Sequence, residues 1–189
     1  MGHYILGAIV YAKTKKEALE EANNVFDSLT RDQSPFDYYT ILDPIEPKNA
    51  VDFITDGDVG TIDKYPDICL ASSKLGKIVI ETLMNATKNN FMWPIAKIRS
   101  CINNATDEEL FEEKASKSLS KDETSDIIMF RSYCNWAGDY RGTDIHLYDP
   151  DGKGIRTPRH LTDALTMYGN SKTEYKGLKV YVVCADAHS

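Results

Sequence analysis

The sequence predicts an α+β fold, a mixed or antiparallel sheet of about five strands with helices on one face and a helical insertion. Three observations predict it. Residues 3–12, HYILGAIVYA, are apolar at almost every position, the pattern of a strand buried on both sides. Residues 178–185, LKVYVVCA, read the same way near the other end. Between them the elements read in the order β-α-β, a helical insertion, then β-β-α-β.

The first strand is followed by Thr14-Lys15-Lys16-Glu17, a capping box in which Thr14 and Glu17 each satisfy an otherwise orphaned amide. Ala18, Ala22, Val25, Phe26 and Leu29 then recur at helical spacing and put one face on the sheet. Asp32 to Pro35 reads as a turn, and residues 36–42 as a second strand stopped by Pro44. These pieces form a β-α-β unit. Residues 43–71 hold Pro44, Pro47 and Pro66 among many acids with no persistent period, and are expected to be a long surface loop.

A helix capped by Ser72 or Ser73 runs through Leu75, Ile78, Val79, Leu83 and Met84, and Pro94 should break or restart it. Thr106 and Glu109 form another capping box, so residues 72–118 read as a helical insertion within one domain spanning 1–189. Residues 114–125 are rich in serine and charge and read as a linker. Residues 126–136, DIIMFRSYCNW, and 143–148, TDIHLY, read as antiparallel strands joined by a short loop. Thr157 caps a helix with Pro158 at its first position, and Gly169 closes it. With the insertion removed, the element order is near the split β-α-β, ferredoxin-like arrangement with one added strand. In that arrangement the first and last strands pair antiparallel at the sheet centre.

Composition narrows the function classes. Acidic residues outnumber basic ones 29 to 22, a net charge of -7 that disfavours general nucleic-acid binding. The four cysteines are widely spaced, so no CxxC redox or zinc pattern exists, and buried thiols in a reducing compartment are expected. There is no signal-peptide pattern and no apolar run near the roughly 20 residues of a membrane helix. A soluble, cytoplasmic protein is the expectation. Tyrosine-rich strands leave homo-oligomerisation through a sheet edge or face open.

Two places could carry chemistry. The run from Asp149 to His160 is a glycine-bearing loop entering a helix N-terminus, where free amides and the helix dipole attract anions. Gly152, Lys153, Gly154, Arg156, Thr157, Arg159 and His160 are its candidate ligand-binding residues. The ligand would be an anionic small molecule or the acidic surface of a protein partner. A solvated strand-to-helix turn is the competing reading. This loop makes a non-catalytic binding protein the leading expectation.

The second place follows from strand parity. Val180, Val182, Cys184, Asp186 and His188 share one side of the last strand. Antiparallel pairing with the first strand brings His3 near Asp186 and His188. Two imidazoles and a carboxylate suit a divalent metal with an open position for water. The alternative expectation is therefore a metal-dependent hydrolase or phosphoesterase using His3, Asp186 and His188, with His146 as a further candidate. Histidines near the ends of a chain often serve no such purpose. Asp56 to Asp63 has spaced carboxylates, but it lacks the acid and glycine that an EF-hand loop needs. No GxSxG, HExxH or GxGxxG occurs.

Overall fold

The computed structural model describes residues 3–31, 35–44, 65–115, 120–138, 145–166 and 177–188. At its centre, strand β1 (His3–Ala12) pairs antiparallel with β5 (Lys179–His188), in register from His3↔His188 to Ala12↔Lys179. Ile5 to Val10 and Tyr181 to His188 are buried, as the unbroken apolar runs require. Strands β2 (Tyr38–Ile41) and β3 (Ile68–Leu70) both add antiparallel to the other edge of β5. Strand β4 (Leu147–Tyr148) lies parallel to β1. The result is a mixed five-stranded sheet of order β2-β5-β1-β4, with β3 beside β2 on β5. β5 stands between β1 and β2 and is antiparallel to both.

Helix α1 (Lys15–Ser28) starts where its sequence signal says: Thr14 Oγ1 accepts the Glu17 amide at 3.2 Å. The Glu17 carboxylate returns to the Lys13 amide at 2.9 Å. The remaining helices among the described residues are α2 (Lys74–Asn104), α3 (Asp107–Glu112), α4 (Lys121–Ile128), α5 (Phe130–Gly138) and α6 (Pro158–Thr166). The chain forms two compact units, one of residues 1–87 with 145–189 and one of residues 88–144. In the sheet unit, one core joins Ile5, Ile9, Val182 and Cys184 to Val79, Ile80 and Leu83 of α2 and Ala164 of α6. Gly7 lies on that same side, and a Cβ there would come within 2.5 Å of Leu83 Cδ1. Tyr39, which alternates with Tyr38, instead gives its hydroxyl to Asn23 and Asp27 of α1. Helix α1 therefore covers the opposite face, and the expectation of helices on one face is corrected. A sheet whose central strands are apolar on both sides needs two covers.

Four other expectations change. The antiparallel pair drawn through 126–136 does not form; those residues lie in α4 and α5. Ser120 accepts the Glu123 amide while the Glu123 carboxylate takes that of Ser120, and this capping box starts a helix. Ile127 and Tyr133 then bury with half-buried Phe130 and Trp136 at three-residue spacing, which overrides their strand propensity. Of the strand expected over 143–148, the described residues form Leu147–Tyr148, which is parallel to β1. Pro94 does not end α2, which continues to Asn104. It removes one amide from the ladder, and the apolar contacts on either side hold the rest. Finally, the 43–71 loop contains β3 at Ile68–Leu70; Asp56 to Asp63 lie outside the described residues.

Candidate metal centre

At one end of the central strand pair, the register sets His3 directly opposite His188, with Asp186 two residues earlier on the same side of β5. The Asp186 carboxylate receives both imidazoles. His3 Nδ1 lies 3.0 Å from Oδ2 and 3.3 Å from Oδ1, and His188 Nε2 lies 2.9 Å from Oδ2. The two rings meet edge-on with centroids 4.1 Å apart. One ligand-capable atom from each of the three side chains lies within 4.8 Å of the others. His3, Asp186 and His188 are thus brought together as strand parity implied.

The cluster has a wet side and a dry side. The His3 side chain is 53% exposed, whereas those of Asp186 and His188 are 11% and 9% exposed. Tyr38, the first residue of β2, stacks on His188 with centroids 4.2 Å apart and planes 13° from parallel. An ionised carboxylate can only accept, so in the metal-free form both imidazoles donate to it. His188 Nδ1 is buried and makes no hydrogen bond among the described residues. With Nε2 donating to Asp186, a neutral ring leaves only a lone pair there.

These separations also fit a shared ion. Around a tetrahedral ion with bonds of about 2.0 Å, neighbouring donor atoms stand about 3.3 Å apart. The spacing of His3 and His188 from Asp186 is close to that edge.

His146 is separate. Its ring Nδ1 is 2.8 Å from the Ile5 carbonyl, and its amide donates to Thr87 Oγ1 at 3.0 Å. It is 7% exposed and is held by the backbone of β1 beside Gly7, whose amide donates to the His146 carbonyl at 2.7 Å. It orders the β1–β4 edge.

The loop from Asp149 to His160 is folded around its own carboxylate. Asp149 Oδ1 accepts the amides of Asp151 at 3.0 Å and Lys153 at 2.8 Å, and the Gly152 amide donates to the Asp149 carbonyl at 3.0 Å. Gly152 has φ +76°, and a Cβ there would meet Ser28 Oγ at 2.6 Å, so this glycine is required by the turn. Gly154 bridges to Tyr148 and lies against Ile145. Thr157 Oγ1 accepts the His160 amide at 3.2 Å and caps α6. The amides of residues 151–153 therefore face inward. What this loop presents outward is the charge of Lys153, Arg156 and Arg159 and the His160 ring, all exposed, with Lys153 3.5 Å from Asp151.

Tyr38 was visible in the sequence only as one aromatic residue among several. The signal that could have found it is its place at the start of β2, on the same parity as the histidine it stacks on. Burial first, then nearby Asp67, pushes the Cys69 thiol up to about 12, and burial pushes Cys184 well above the usual thiol range, which disfavours thiolate at these two positions. No helix among the described residues is long and apolar enough to cross a membrane.

A family model described as "Domain of unknown function (DUF7995)" matches residues 2–189, and the chain belongs to that family. No curated protein and no solved structure matches it.

Proposed function

We propose that the protein binds a divalent transition metal through His3, Asp186 and His188 and uses it as a hydrolase. The observation that carries this reading is the convergence of two imidazoles on one largely buried carboxylate, with the third side of the group open to water. Two nitrogen donors and one oxygen donor suit zinc or iron(II). A metal held by three protein ligands keeps a position for water, whose pKa it lowers enough to make hydroxide available near neutral pH. Asp186 fixes both rings before any ion arrives, and Tyr38 holds the His188 ring plane by stacking. In the bound form His188 Nδ1 would carry the proton, and no acceptor for it lies among the described residues. Outer partners of this kind raise affinity by about 10- to 100-fold, so an exchangeable ion of moderate affinity is expected.

The test is calorimetric titration of chelator-treated full-length protein with zinc, followed by assay on p-nitrophenyl phosphate and p-nitrophenyl acetate. One ion per chain and metal-dependent turnover are expected, both lost in His188→Ala. An absence of saturable zinc or iron binding to folded protein removes the reading. As part of the same proposal, the free thiols support a cytoplasmic setting. The β1-α1-β2 unit, with β5 between its strands, supports relating the sheet to ferredoxin-like folds.

A further inference from the structure

Away from the metal centre, the sheet unit has a cleft of about 530 Å³ between α2 and α6, floored by Ala71 and Val180. Small-molecule sites occupy roughly 300–1,000 Å³ and combine an apolar wall with a few polar groups. Here the wall is aliphatic: Ile80 and Met84 from α2, Pro158, Leu161 and Leu165 from α6. Among the described residues no aromatic side chain lines it, and Met84 is unbranched and adaptable. Such a wall fits a flexible alkyl chain better than a planar ring.

Both helices are anchored independently of any ligand. Tyr11 Oη donates to the Ala164 carbonyl at 2.7 Å, and Ala164 is 1% exposed. A Cβ on Gly76 would lie 2.0 Å from the Leu70 carbonyl oxygen, so the first turn of α2 sits directly on the end of β3. The cleft is therefore preformed. Its polar rim is Ser72, Lys77, Glu81 and Asn85. None of these side chains makes a hydrogen bond or ion pair among the described residues, even though Lys77 and Glu81 stand at the i,i+4 spacing of a helix pair. Lys77 is the cation of this lining. Its stem can lie along the apolar wall while the ammonium reaches the mouth, and Ser72 adds a hydroxyl donor.

We propose that this cleft binds an aliphatic carboxylate of medium chain length, with the alkyl chain between α2 and α6 and the carboxylate on Lys77 and Ser72. Glu81 is the acid on the rim and opposes the head group, which gives the proposal a second sign to check.

The experiment is calorimetric titration of the full-length protein below the critical micelle concentration with decanoate, decanol and decyltrimethylammonium. One saturable decanoate site is expected, about fivefold tighter than decanol, with the cationic amphiphile weakest. Lys77→Met should bring decanoate down to decanol without weakening decanol, and Glu81→Gln should tighten decanoate. Leu161→Gln, a change at a half-buried position, should weaken both. Equal binding of decanoate and decanol, no response to Lys77→Met, or no saturable binding by folded protein overturns the assignment. Zinc loading is not expected to alter any of these results, so this site stands or falls apart from the metal centre.

Discussion

Two carboxylates, one in each unit, each gather two side chains, and the contrast between them separates structure from candidate chemistry. In the helical unit Asp126 accepts Lys97 Nζ at 2.9 and 2.8 Å and Tyr133 Oη at 2.9 Å. In the sheet unit Asp186 accepts His3 and His188. The partners of Asp126 are an ammonium and a phenol, which hold their protons across the physiological range. Burial pushes the Asp126 carboxyl up, but the hydrogen bonds and charge of Lys97 and the Tyr133 hydroxyl outweigh it, leaving the group lowered. Tyr133 is pushed up to about 12 by burial and by the same carboxylate. That network ties α2, α4 and α5 together. The partners of Asp186 are imidazoles, which give up a proton readily and then present lone pairs to an ion. Equal geometry thus supports a clamp in one unit and a ligand set in the other.

Breaking the ligand set should have the largest effect. His188→Ala is expected to reduce zinc from one ion per chain to none, measured by elemental analysis after gel filtration. Asp186→Asn keeps the shape but replaces a charged donor with a neutral one. It should weaken zinc by roughly 100-fold in calorimetry. Retention of zinc in both variants would erase the distinction drawn between the two carboxylates.

The clamp gives the smaller effects. Asp126→Asn should cost the helical unit about 1–3 kcal/mol and leave zinc affinity unchanged. The chain has two tryptophans, Trp93 and Trp136, and both lie in the helical unit, so tryptophan fluorescence during urea unfolding reads that unit. The pH sign follows from the lowered Asp126 value. Its contribution is complete above the unfolded carboxyl value of about 4 and is lost as pH falls through the folded one. Asp126→Asn should abolish that part of the acid sensitivity. Smallest of all, Tyr133→Phe should cost about 1 kcal/mol and remove one tyrosine that titrates late in alkaline difference absorbance.

The His3, Asp186 and His188 cluster was legible because it depends on only two things: the apolar runs that become β1 and β5, and the period-two parity along β5. Those runs can be read because a strand dry on both faces has no polar position to confuse its limits. Residues 126–136 misled for the converse reason. Ile127, Phe130, Tyr133 and Trp136 carry strand-forming side chains, yet they sit three residues apart, a spacing that fits a helix face. The local cue was present at Ser120 and Glu123, in a stretch whose serines and charges suggested a linker. The role of Asp149 in shaping the 149–160 loop was not legible, because a side chain that folds back onto amides two and four residues ahead looks, in sequence, like any acid in a turn. The cleft between α2 and α6 is invisible in sequence; Leu161 and Leu165 have the spacing of residues packed against a neighbour.

The pairing of β1 with β5 has a consequence for synthesis. A ribosome delivers His3 to Ala12 well before Lys179 to His188, so this ladder cannot close until the long stretch of chain between them has been made. Until then a ten-residue apolar segment waits with its principal partner unmade, dependent on α1 and on whatever holds nascent chains. Production of this protein should respond to chaperone supply more sharply than its finished stability suggests.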